Sequence, residues 1–205
     1  MNASARRLTP SPGPPGEGAP WITLALVACA SLIHASTSVQ SALQFDRHAV
    51  ASGEFWRIVT GHFTHWSVNH LLWDLAVFVA LGTVCERLGR ARMIWTIASS
   101  ILMISFFAAP RLPTYRGLSG IDSALFVLLA VTLRRERPLV VSLLLAAFAF
   151  KSCYELATGH TFFVDNAASG FVPVPLAHII GGICGAIVGL LPFAQSRPPI
   201  TIART

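Results

Sequence analysis

The chain has 205 residues, 54% of them hydrophobic and only 12% charged, with a mean hydropathy of +0.63. That is more apolar side chain than one soluble core of this size needs, which argues against an ordinary soluble globular domain and leaves the bilayer as the solvent. The formal net charge of +6 invites a nucleic-acid reading, but the basic residues form short clusters between apolar stretches and no stripe on a polar domain, so no nucleic-acid partner is expected.

In chain order, residues 1–20 are rich in Pro and Gly and are expected to form a disordered tail. Six apolar stretches follow, near 21–39, 66–86, 91–109, 117–133, 138–157 and 174–193. Each is of a length suited to crossing a hydrocarbon core of about 30 Å. The predicted fold is therefore all-α, a polytopic membrane protein with one compact six-span domain over 21–193 and a short second tail over 194–205. The first stretch contains the small-residue run Ala28-Cys29-Ala30, but its long Pro-rich lead and the later spans favour a retained helix over a cleaved signal.

Charge sets the expected orientation. With both termini cytoplasmic, ten of the fifteen Lys and Arg lie on the inside: Arg6, Arg7, Arg87, Arg90, Arg92, Arg134, Arg135, Arg137, Arg197 and Arg204. Arg47, Arg57, Arg111, Arg116 and Lys151 fall on or near the outer side, a two-to-one bias that supports an even number of spans. The cluster Arg134-Arg135-Glu136-Arg137 reads as an anchor near anionic headgroups. Cys29, Cys85, Cys153 and Cys184 show no metal-binding spacing and are read as small core residues; His34 and His160 are read as polar residues at span ends.

A charged group at the centre of a membrane helix costs roughly 2.5–3.5 kcal/mol, so each polar residue inside a span needs a reason. His70 and Asp74 stand four residues apart in the second stretch, which places both on one helix face. The fourth stretch opens with Gly117-Leu118-Ser119-Gly120 and continues to Asp122. In the sixth, Gly181, Gly185 and Gly189 repeat every four residues, a stripe along which another helix can approach closely, and His178 precedes it by one turn. A serine hydroxyl needs an adjacent base to become a nucleophile, and a histidine at hydrogen-bond distance is the usual one. Ser119 and His178 are thus the candidate nucleophile and base, with backbone amides at the start of the fourth span facing a developing oxyanion. Zinc binding by His62, His65, His70 and Asp74 is disfavoured, since no HExxH is present and the spacings straddle a loop and a helix.

Together these motifs resemble the rhomboid family of intramembrane serine proteases. Gly53-Glu54-Phe55-Trp56-Arg57 resembles its G-x-x-W-R loop, His65, His70 and Asp74 its histidine-rich second span ending in Glu86-Arg87-Leu88-Gly89, Gly117 to Gly120 its G-x-S-G motif, and Ala177-His178 with Gly181 and Gly185 its last span. The resemblance covers about residues 40–190. It implies a bundle with a water-filled cavity open to the outer side, a Ser119–His178 dyad, an oxyanion role for His70, a structural role for His65, a nucleophile-loop role for Gly117, and no cofactor or metal.

Two positions depart from that pattern. Asp74 stands where many rhomboids have an asparagine that donates to the oxyanion. Such an acid can either be protonated and donate, or accept from His70 or His178 and orient it. Ser123 stands where many have a tyrosine beneath the histidine, and Asp122 is the nearest residue to compensate. These departures and the run Tyr115 to Phe126 resemble the bacterial rhombosortase branch, which implies an inner-membrane protein cutting C-terminal Gly-Gly sorting signals. The expected partners are a single-span membrane protein and the bilayer. The competing readings are a non-catalytic rhomboid-like binder of membrane segments and, lower, a transporter, for which inverted repeats are absent.

Overall fold

The computed structural model describes residues 18–107, 109–159 and 174–192. The two expected tails fall almost entirely outside the described residues, as does His160.

The first apolar stretch is a bent pair and not one straight span. Helix α1 (Trp21–His34) ends before Ser36, and α2 (Thr37–Leu43) leaves at 114°. Ser36 is extended and its hydroxyl accepts from the Val39 N–H at 3.4 Å, satisfying one orphan donor of the new helix. Strand β1 (Phe45–Asp46), α3 (Arg47–Ala51), α4 (Arg57–Thr60) and a 3-10 turn at Gly61–Phe63 complete the first loop. Arg57 ties it together. Its guanidinium bonds Glu54 at 2.7 Å and the carbonyls of Ser41 and Gln44 at 2.9 and 2.8 Å.

Helix α5 (Val68–Phe107) contains both the second and third stretches, broken at Gly89 (φ −178°, ψ 87°). Both far ends return to the first loop: Trp66 N–H reaches His70 Nδ1 at 3.5 Å, while Ser105 donates to the Ile58 carbonyl at 2.7 Å and lies 3.0 Å from His62. The two arms therefore run antiparallel. Strand β2 (Thr114–Tyr115) pairs antiparallel with β1, Phe45 opposite Tyr115, which fixes the approach to α6 (Ser119–Leu133). Helix α7 (Pro138–Thr158) and α8 (Pro175–Leu190) each begin with proline, whose missing N–H costs nothing in a first turn.

Helices α5 and α7 are long and apolar enough to cross a membrane, and α1 with α2 is a third candidate if the bent pair counts as one span. Helices α6 and α8 are shorter apolar helices. Large apolar side chains such as Leu32, Phe106, Leu139 and Phe150 are at least 69% exposed, whereas Thr23, His62, Thr64, His65, Thr96 and Glu155 are buried. Apolar outside and polar inside suits a helical bundle in lipid. Of the cysteines, Cys85 and Cys184 are core residues as expected, but Cys29 and Cys153 are exposed among the apolar outer side chains.

The interior polar groups fasten helices to one another. Glu86 accepts from the Ile22 and Thr23 N–H groups at 3.1 and 2.9 Å and from the Thr23 hydroxyl at 2.9 Å. A carboxylate thus caps the first turn of α1, where helix polarity favours negative charge. The tightest helix pair is α6 with α8. A Cβ at Gly181 would overlap the Gly120 carbonyl, and one at Gly185 would overlap the Ala124 carbonyl, so the backbones meet directly along the glycine stripe.

Candidate active site

The glycine contact between α6 and α8 sets the first geometry of the site. Ser119 is the first residue of α6 and His178 lies in the first turn of α8. Because the two backbones touch at Gly120 and Gly181, these side chains converge, with Ser119 Oγ 3.1 Å from His178 Nε2. The histidine is 92% buried, at 8% exposure. Two residues 59 apart in sequence are thereby brought to hydrogen-bond distance.

The loop before Ser119 is shaped by Gly117, which has φ +127°. A side chain there would be strained by the backbone and would press on the His70 ring, whose nearest atoms are 3.0 and 3.1 Å from a hypothetical Cβ. The Tyr115 hydroxyl donates to the Gly117 carbonyl at 3.2 Å, holding the same turn.

Asp74 braces the loop from below. Its Oδ2 accepts from the Leu118 N–H at 2.9 Å and lies 3.3 Å from His70 Nε2. His65 Nε2 is 3.2 Å from the same oxygen, off the line of a hydrogen bond. The Leu118 amide is thus committed to Asp74. Asp74 Oδ2 thus accepts from the Leu118 amide, and the histidines beside it are His65 and His70, not His178. The Ser119 and Gly120 amides open α6, where the helix itself supplies no acceptor.

His65 is held in the first loop: its N–H donates to Gln40 at 3.2 Å and its carbonyl accepts from Arg116 at 3.3 Å. Arg116 also stacks 4.5 Å from the Trp66 ring centroid and bonds Gln44 at 2.8 Å. Nearby, burial pushes the His62 imidazole down to about 4, so it is neutral at pH 7.

The support for His178 comes from a residue that the sequence reading did not single out. Glu155 of α7 places Oε2 3.0 Å from His178 Nδ1, and its carboxylate is gripped by Lys151 Nζ at 2.8 Å from each oxygen. Glu155 is 1% exposed. Asp122, the expected compensation for the missing tyrosine, lines the cavity without reaching the histidine, and no described residue bonds its Oδ1. Ser123 donates to the Ser119 carbonyl at 2.9 Å, an ordinary bond back along its own helix. The sequence signal for Glu155 was its spacing: Lys151 and Glu155 are one turn apart inside an apolar stretch, where a charged pair needs a reason.

Ser119, His178, His70, Asp74 and Glu155 line one cavity of about 540 Å³. Its remaining walls are mainly apolar, with Val77 and Leu81 from α5, Phe126 from α6, and Leu144 and Phe148 from α7. A serine hydroxyl 3.1 Å from an imidazole, a carboxylate 3.0 Å from the other ring nitrogen and helix-start amides beside them make a set suited to acyl transfer.

The family model for the Rhomboid domain matches residues 52–195 of the chain. No curated protein matches it.

Proposed function

Since the chain belongs to the rhomboid family, whose domain implies intramembrane proteolysis, we propose that it is an active serine endopeptidase in which Ser119 is the nucleophile and His178 the general base. The observation that carries this reading is the 3.1 Å approach of Ser119 Oγ to His178 Nε2 in a cavity large enough for an extended peptide segment. Ser119 Oγ attacks the scissile carbonyl carbon as His178 Nε2 takes its proton. The imidazolium then returns that proton to the leaving amine, and water repeats the sequence on the acyl-enzyme.

The oxyanion forms beside the start of α6, where the Ser119 and Gly120 amides and the His70 ring are the donors at hand. Asp74 acts through others: by accepting from Leu118 and neighbouring His70, it fixes the loop and the ring that face the reacting carbonyl. The substrate is a single-span membrane protein that unwinds at the cut, because a carbonyl engaged in helical hydrogen bonds is shielded from attack. The chain itself is a six-span protein of the bacterial inner membrane with cytoplasmic termini, α1 with α2 and the two arms of α5 supplying three spans and α6, α7 and α8 the rest. Its branch is that of the rhombosortases, with substrates ending in a Gly-Gly segment, an apolar span and a basic tail.

Co-expression tests both levels. A reporter bearing that C-terminal signal and an ordinary single-span rhomboid substrate are each expressed with wild type, Ser119→Ala and His178→Ala. Cutting of the sorting-signal reporter by wild type alone is expected. Cutting of the ordinary substrate alone would remove the branch assignment, and no cutting of either would favour the reading of a membrane-segment binder.

A further inference from the structure

We infer that Glu155 is a positioning residue that turns the Ser119–His178 pair into a three-residue relay, with Lys151 holding the carboxylate in place. This rests on the protease reading above and adds to it, since family resemblance implies only two residues.

Helix α7 buries little: only 17% of its most apolar window is inside the protein, and its buried residues are Val141, Ser152 and Glu155. Two of these three are polar, so hydrophobic burial alone does not explain why an acid is turned inward from a helix otherwise faced with apolar side chains. Lys151 already neutralises Glu155 within the same helix. The carboxylate nonetheless also reaches His178 across 23 residues of chain.

The chemistry of that contact is directional. An ionised carboxylate only accepts, so the proton of the neutral imidazole sits on Nδ1 and leaves the Nε2 lone pair facing the Ser119 hydroxyl. When Nε2 takes the serine proton, the imidazolium forms beside a carboxylate that is already ionised and oriented. No proton passes to Glu155, and charge balances: Lys151 offsets Glu155, and the imidazolium offsets the oxyanion. The other ionisable groups lining this cavity, His70 and Asp74 on α5 and Asp122 on α6, have no bond to Nδ1, which Glu155 alone occupies among the described residues.

The test uses purified full-length protein in detergent with two readouts. The first is the rate of labelling by a fluorophosphonate, separated into a binding constant and a maximal rate. Glu155→Gln, which keeps shape but removes the obligate acceptor, is expected to lower the maximal rate on the order of 10³-fold with the binding constant unchanged. Glu155→Asp should recover part of the loss, and Lys151→Met should fall between wild type and Glu155→Gln.

The second readout is nitrogen NMR of histidine-labelled protein, with the His178 signal assigned by its loss in His178→Gln. Wild type is expected to carry its ring proton on Nδ1, and Glu155→Gln to lose that preference. Wild-type labelling with Glu155→Gln reacting at the wild-type rate would overturn the relay and leave the protease reading standing. A wild-type His178 protonated on Nε2 would overturn the relay even if Glu155→Gln does not fold. No labelling of wild type would overturn the protease reading, and the relay with it.

Discussion

Helices α6 and α8 meet through glycine backbone, while α7, which forms another wall of the same cavity, presents most of its side chains outward and touches α6 and α8 only lightly. The first contact carries Ser119 and His178, the proposed nucleophile and base, and the second carries Glu155, the carboxylate behind that histidine. The difference separates two jobs. Atoms that must stay 3.1 Å apart sit on the pair of helices with least freedom to separate. The wall beside the apolar side of the cavity is held by a histidine contact and by Phe148, whose ring lies over Gly182.

Breaking the close-packed side should have the largest effect. Gly181→Val places a side chain against the Gly120 carbonyl, where neither backbone can yield without separating α6 from α8. It is expected to cost at least about 3 kcal/mol and to abolish activity, as measured by unfolding in denaturing detergent and by labelling.

Gly117→Ala should come next. The residue combines a φ of +127° with contact to the His70 ring, and a non-glycine residue there costs about 1–3 kcal/mol. A melt and a labelling assay should show a partly destabilised protein with impaired reaction at Ser119.

His62 in the first loop gives an intermediate, pH-dependent effect. Its imidazole is pushed from 6.5 to about 4 in the folded protein, because burial disfavours the charged form. The unfolded chain therefore binds more protons between these values, and stability should fall as pH is lowered from about 6.5 toward about 4. His62→Gln should flatten that part of the stability profile.

On the loosely packed side, Leu139→Ala on α7 removes an apolar group that is 71% exposed. It should change stability in detergent by no more than about 0.5 kcal/mol. A loss comparable to that of Gly181→Val would mean that α7 is as firmly built in as α8.

Much of this architecture was legible in the chain because its cause is local. Gly181, Gly185 and Gly189 announce a close helix contact by spacing alone, and Gly117-Leu118-Ser119-Gly120 marks the start of a helix that could meet it. The bend after His34 was not legible, because the apolar run continues through it and only the capping geometry of Ser36 separates α1 from α2. Glu155 was missed for a different reason. Its partner lies on another helix, and nothing in the periodicity of α7 tells which neighbour its polar turn faces. Asp74 fell between these cases: the helix face was readable, but the choice of the Leu118 amide as partner depends on how the Gly117 turn folds over it.

The central claim is that Ser119 is activated by His178 within one cavity. Peptide mass spectrometry of the protein after reaction with a fluorophosphonate addresses it most directly. A single adduct on Ser119 in wild type, lost in His178→Ala although that variant remains folded, is the expected result. An adduct on another residue, or one on Ser119 that forms at the same rate without His178, would contradict it.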